Sequence, residues 1–182
     1  MTIRRLALPV AFAWAFLAVY AVHFLDFHGS VPDFERTSAR GQLLDVTPSF
    51  TVPGVYDRLE GYGEEGRRNY AFRNITVDVA LPVSLLPFLW LFMRAATTRI
   101  RSRGLRVAWL AIPFIYVAFD LAENATVLSL LSNYPSRLEL LAAALPYMTT
   151  VKRVASLLAI FAPLVMLAFG WWGTRKRSLD AA

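Results

Sequence analysis

The sequence has no cysteine, two histidines and two lysines. Without a thiol there is no disulfide, no thiolate metal site and no thiol nucleophile. With two histidines and no serine set in an elbow motif, a Ser-His-Asp triad is not expected. The G-x-S-x-G, H-E-x-x-H, P-loop and dinucleotide-binding fingerprints are missing, and so are internal repeats and low-complexity tracts. The scarcity of lysine leaves 17 arginines to carry nearly all the positive charge, a usage that fits a high-GC bacterial genome better than any one mechanism.

Hydrophobic residues, by contrast, are abundant. They make up 57% of 182 residues, and the mean hydropathy is +0.46, well above an ordinary soluble domain. Four apolar windows, at about 6–25, 75–93, 107–131 and 151–172, each approach the ~20 residues that a spanning helix needs. The expected fold is therefore all-α: one domain, 1–182, built as an integral membrane four-helix bundle with an outer loop at 26–73.

Basic residues give the orientation, because short loops rich in Arg and Lys stay cytoplasmic. Arg4 and Arg5 precede the first window, Arg94, Arg99, Arg101, Arg103 and Arg106 lie between the second and third, and Arg175, Lys176 and Arg177 follow the fourth. All three clusters fall on one side, as four crossings require. The expected location is the bacterial cytoplasmic membrane, multi-pass, with both termini inside. The net charge of +6 is explained by these clusters, which suit anionic lipid headgroups. No separate basic domain exists to hold nucleic acid. The first window is longer than a signal-peptide core and lacks a good small-residue cleavage pattern, so it is expected to be retained as a helix.

The 26–73 segment mixes eight acids with six arginines and is too long for a simple connection. Its first half, with Pro32, Gly41, Pro48 and Pro53, reads as turn-rich. Its second half, with Val55, Tyr56, Leu59 and Tyr62, reads as one short amphipathic helix. The 132–150 segment reads as a nearly neutral outer loop. Pro9, Pro82, Pro87, Pro113 and Pro163 fall in or beside the windows, where membrane helices tolerate proline; Pro82 and Pro113 are placed to open space near polar groups. Trp171 and Trp172 read as an interfacial anchor.

The chemistry lies in polar residues set inside these windows. Asp120, Glu123 and Asn124 share a helix face with Tyr116. A charge at membrane depth costs a few kcal/mol or more, and is kept where it meets a partner or a substrate path. Counting ~1.5 Å per residue from Arg106, Asp120 lies ~21 Å across and Asn124 ~27 Å. Asp78 lies ~7 Å below the outer boundary by the same count from Arg73. Tyr70, Asn74 and Asp78 share a face, as do Thr149, Lys152, Arg153 and Ser156, and His23 and Asp26 end the first window at the same level. Lys152 or Arg73 is expected to pair with Asp78, Asp120 or Glu123, since unpaired charges there would neutralise. His23, Asp26 and His28 offer ligand types, but His28 leaves the shared face while the helix lasts, so neither a metal nor another cofactor is expected.

The stretch G-R-R-N-Y at residues 66–70, Asp78, the D-L-A-E-N run at 120–124 and the T-T-V-K run at 149–152 together resemble a family of small, uncharacterised bacterial four-span membrane proteins. That resemblance covers residues 61–172 and implies no activity. The D-F-H-G-S-V-P run at 26–32 is similar to one in the four-span EXPERA domain of sterol isomerases and the sigma-2 receptor. It implies that Asp26 and Asp78 face a cationic or sterol-like ligand, although the acids of the third window and the longer first loop depart from that pattern.

The leading expectation is an outward-opening polar cavity that binds, and acts by acid–base chemistry on, an amphipathic or lipid-like molecule. Asp120 and Glu123 would be acid and base, Asp78 an electrostatic partner, and Lys152 and Arg73 stabilisers of negative charge. Asn124, Tyr70, Asn74, Tyr116, His23 and Asp26 would contact the ligand. A proton-coupled transporter working as an oligomer and an accessory subunit docked on another membrane protein are the alternatives; membrane lipids are partners in every case. Whether the protein is an enzyme is left open at this point.

Overall fold

The computed structural model describes the backbone of residues 3–179 and the side chains of residues 9, 10 and 12–169. Arg4, Arg5, Trp171, Trp172, Arg175, Lys176 and Arg177 lie outside the described side chains. The regular structure of the described residues is all helix, with no strand, in the order α1 (Ile3–Phe24), α2 (Val31–Thr37), α3 (Val52–Gly61), α4 (Gly63–Ile75), α5 (Val77–Ala96), a 3₁₀ turn (Thr97–Arg99), α6 (Arg103–Asn133) and α7 (Glu139–Leu179). Three helical stretches, Gly63–Arg99, Arg103–Asn133 and Glu139–Phe169, are long and apolar enough to cross a membrane, and Phe12–Phe24 is a shorter apolar stretch.

The outer segment departs from the sequence expectation. In place of a turn-rich half and a single amphipathic helix, residues 26–73 hold α2, α3 and most of α4. Pro32 and Pro53 start helices here. Each sits in a first turn, after an N-cap Ser30 or Thr51 whose hydroxyl accepts the backbone N–H of Asp33 or Gly54. At that position the missing proline N–H would have had no intrahelical partner in any case.

The 132–150 loop shrinks for a related reason. α6 ends at Asn133 and α7 begins at Glu139, leaving a five-residue connector, 134–138. Residues 139–149 are helix formers whose Ala142 and Leu145 find a core to enter. α7 thus starts 12 residues before the expected window, ~18 Å of extra helix.

These extensions build a cap on the 26–73 side, the outer side in the orientation expected from the basic clusters. Its core gathers Phe34, Leu44, Leu59, Tyr62 and Tyr70 from the outer segment against Leu130 of α6 and Leu145 of α7. Gly66 brings α4 close to the chain after α2: a Cβ there would lie 3.0 Å from Ser38 Cα. A second, inner core joins Leu85, Phe88, Leu89 and Phe92 of α5 to Ala159 of α7. Phe12 attaches α1 to it, its ring edge-on to Phe88 and Phe92 at 4.8 and 5.2 Å. Outside the inner core, Phe16, Leu17, Phe114, Phe161 and Val165 are exposed, an apolar surface that water would penalise at about 25 cal/mol per Å².

Candidate functional site

Between the two cores lies a layer of charged and polar side chains. On α6, Asp120, Glu123 and Asn124 follow at i, i+3 and i+4, so helical geometry alone turns them to one side, and all three are buried. On α7, Thr149 and Lys152 face them. Lys152 Nζ hydrogen-bonds Glu123 Oε2 and lies 3.3 Å from Asp120 Oδ1. Thr149 Oγ1 reaches Glu123 Oε1 and the Leu145 carbonyl, its single proton serving one at a time. Glu123 is 0% exposed, and both its oxygens are engaged.

The other half of the layer depends on a break between helices. In a continuous helix Arg73 and Asp78, five residues apart, would point about 140° from each other. At Thr76 the backbone leaves helical geometry (φ −115, ψ −83), and α5 restarts with Asp78 in its first turn, where a carboxylate is favoured by the helix dipole. The break brings Arg73 Nη2 to 2.8 Å from Asp78 Oδ1. It also ends the face expected to run through Tyr70, Asn74 and Asp78. Arg73 Nη1 donates to the Gly29 carbonyl at 3.0 Å, tying the turn after α1 to the layer. Asn124 Nδ2 closes the gap to α5 by donating to the Asp78 backbone carbonyl at 2.8 Å, with Asp120 Oδ2 at 3.4 Å.

Two features of this layer are left over once its pairs are counted. Three carboxylates, Asp78, Asp120 and Glu123, meet two cations, Arg73 and Lys152, so with every group ionised the layer carries one negative charge in excess. Further, Asp78 Oδ2, Asn74 Oδ1 and Arg73 Nε are buried without a hydrogen-bond partner among the described residues. Each such group costs about 1–3 kcal/mol, more when charged. Two acceptors and one donor on Arg73, Asn74 and Asp78 are therefore left without partners.

The remaining expected residues divide. Tyr70 is buried in the outer core, its hydroxyl donating to Asp45 Oδ1 at 2.8 Å. Asn74 donates to the Tyr70 carbonyl at 3.1 Å, and Tyr116 is half-buried against the inner core. Arg153 leaves its expected face and donates to the Asp45 carbonyl at 3.0 Å and to that of Val46. The structure does not bring His23 and Asp26 to the layer. His23 is exposed, with its ring on the Val19 carbonyl at 2.9 Å, and Asp26 is exposed 3.4 Å from Arg36. α1 ends at Phe24, so Asp26 follows the following turn rather than the helix face. Among the described residues no three His, Asp or Glu side chains gather in a way that would hold a metal ion.

Sequence reasoning missed two acids. Asp45, in the stretch between α2 and α3, sits close enough to act electrostatically on Asp78, Asp120, Glu123 and Lys152; no local pattern marks it. Asp33, 3% exposed, accepts from Gly29 N–H (2.9 Å), Asn69 Nδ2 (2.7 Å) and Arg36 Nη2 (2.5 Å), with His28 Nδ1 at 3.1 Å. Burial raises its pKa, but these hydrogen bonds outweigh burial and hold it below the ordinary 3.8. Its signal was the S-x-x-D spacing from Ser30, a helix start.

No family model matches this chain, and no curated protein or solved structure does either.

Proposed function

We propose that the chain is an integral membrane protein of four spans whose buried polar layer, just beneath the outer headgroups, binds the polar end of an amphipathic or lipid-like molecule. In this reading α1 is the fourth span, both termini and the Arg94–Arg106 cluster lie on the cytoplasmic side, and the cap of α2–α4 faces outward. The membrane is the cytoplasmic membrane of a bacterium. The observation that carries the reading is the unfilled valence beside Arg73 and Asp78, coupled to a surplus carboxylate. A ligand donor on Asp78 Oδ2 would fill the valence, and a cationic group there would answer both. Asp120 and Glu123, linked through Lys152, would exchange the compensating proton, which is where acid–base chemistry would act.

The apolar core below the layer, with Leu85, Phe88, Leu89 and Phe92, gives an ion no polar path inward, which favours binding over transport. Native mass spectrometry of protein extracted from its own membranes in mild detergent tests the reading. Wild type should carry a retained molecule of defined mass, and Asp78→Asn should lose it while keeping a monodisperse peak. A bare wild-type protein, together with Asp78→Asn that fails to fold, would leave the layer a packing device alone.

A further inference from the structure

The 26–73 segment is rich in charge, but the run V-T-P-S-F-T-V-P-G-V-Y at 46–56 contains no Asp, Glu, Lys, Arg or His. Two of its apolar side chains stay outside the cap core: Val46 is 49% and Phe50 67% exposed. The ring of Phe50 meets that of Tyr147 edge-on, with centroids 6.4 Å apart, and Tyr147 on α7 is itself 68% exposed. Tyr147 begins an apolar stripe that continues through Val151, Val154, Leu158 and Phe161, each three or four residues after the last and each exposed. The stripe lies within Glu139–Phe169, a stretch long and apolar enough to cross a membrane. The Phe50–Tyr147 pair therefore continues a surface that faces lipid once that stretch spans a bilayer.

A loop beside lipid has to satisfy its own backbone, because acyl chains offer no hydrogen bonds. Here Arg153 donates to the carbonyls of Asp45 and Val46, and Arg58 to that of Thr47. The amides of Val46 and Thr47 donate to the Leu43 carbonyl at 3.2 and 3.0 Å. The Thr47 hydroxyl donates to Gln42 Oε1 at 2.6 Å and that of Ser49 to the Thr51 carbonyl at 3.3 Å, while Pro48 and Pro53 have no N–H to satisfy. Tyr147 stands five residues before Lys152, ~7.5 Å along α7 toward the cap, and the zone between hydrocarbon and water is about 5–7 Å deep on each side. With the polar layer just beneath the outer headgroups, the pair is at the depth where aromatic rings with a polar tip settle. We infer that Val46, Phe50 and Tyr147 insert into the outer leaflet at its headgroup boundary, so that the segment after α2 is held by the bilayer as well as by the cap core. The inference rests on the four-span reading above. Asp45, bound by Tyr70, is the next residue before Val46, so leaflet contact and polar layer meet at neighbouring positions.

Because the chain has no cysteine, a single introduced thiol takes a nitroxide label without background. Val46→Cys, Phe50→Cys, Val154→Cys and Arg68→Cys, all at exposed positions, are each reconstituted as the full chain in vesicles of phosphatidylethanolamine and phosphatidylglycerol. Electron paramagnetic resonance then compares collisions of the label with oxygen, which concentrates in lipid, and with a water-soluble nickel chelate. Labels at 46 and 50 should favour oxygen, less strongly than the label at 154 within the span, and the label at 68 on α4 should favour nickel. Adding Phe50→Asp to Val46→Cys should shift position 46 from oxygen toward nickel. Nickel-favoured labels at 46 and 50 beside an oxygen-favoured label at 154 would overturn the inference and leave the spans standing, whereas nickel at 154 as well would overturn the four-span reading with it. Labels shielded from both probes, with spin–spin broadening that disappears on dilution with unlabelled protein, would put a second copy of the chain on this surface in place of lipid and overturn the inference too.

Discussion

Asp33 in the cap and Glu123 in the polar layer are both acids removed from water, yet their surroundings differ in kind. Asp33 is one carboxylate met by a backbone N–H, an amide, a guanidinium and an imidazole. Its charge is balanced locally, and its pKa is held down accordingly. Glu123 belongs to a set in which carboxylates outnumber cations and neighbouring groups lack partners. A balanced buried charge needs nothing further and fixes architecture. An unbalanced one is costly on stability grounds alone, and the proposed function gives it a proton or ligand to complete it.

Removing the cation from the unbalanced set should produce the largest effect. Lys152→Met leaves Asp120 and Glu123 without their partner, and about 3–5 kcal/mol should be lost, read as a drop in thermal or denaturant midpoint in detergent. Adding Glu123→Gln should restore a substantial part of it. A single-variant cost below about 1 kcal/mol would break the comparison, since the layer would then not depend on its ion pairs.

The balanced set predicts a smaller, pH-linked effect. Asp33→Asn removes a charge that several donors address, and should cost about 2 kcal/mol, seen as faster hydrogen exchange in α2. Because the folded pKa of Asp33 lies below its ordinary value, its contribution is present above that value and is lost as pH falls through the folded one. Wild-type cap protection should therefore decline below about pH 4, with a shallower decline in Asp33→Asn. Equal slopes would show that Asp33 is not the group responsible.

The smallest effect sharpens the link between the two regions. Gly29 holds φ +89, and a Cβ there would meet Phe72 at 3.1 Å, while its carbonyl receives Arg73. Gly29→Ala should cost about 1 kcal/mol and disturb the cap and the Arg73–Asp78 pair together. Loss confined to the cap would show that the turn is not the connection.

The windows and the acids within them were readable because hydrophobic runs and helical spacing are local properties of a chain. Residues 107–131 and the D-x-x-E-N spacing needed no tertiary knowledge, since a rotation of 100° per residue fixes which side chains share a face. The cap was harder to see. Pro32 and Pro53 resemble breakers until their positions after Ser30 and Thr51 identify them as first-turn residues, and 139–149 became helix because a core awaited Ala142 and Leu145. Asp45 carries no signal in its own neighbourhood, because what makes it relevant is the arrival of Tyr70 and Arg153 from distant helices.

Composition and periodicity by themselves settled that this chain is helical, that its long helices are apolar enough for a bilayer, and that charges sit within them. Only the packed structure decided which charges pair. Lys152 goes to Asp120 and Glu123, Arg73 goes to Asp78, and Arg153 goes to neither, because pairing depends on the break at Thr76 and on how α6 lies against α7. A helix period sets directions around one axis, whereas the distance between two charges on different helices is set by the packing of everything between them.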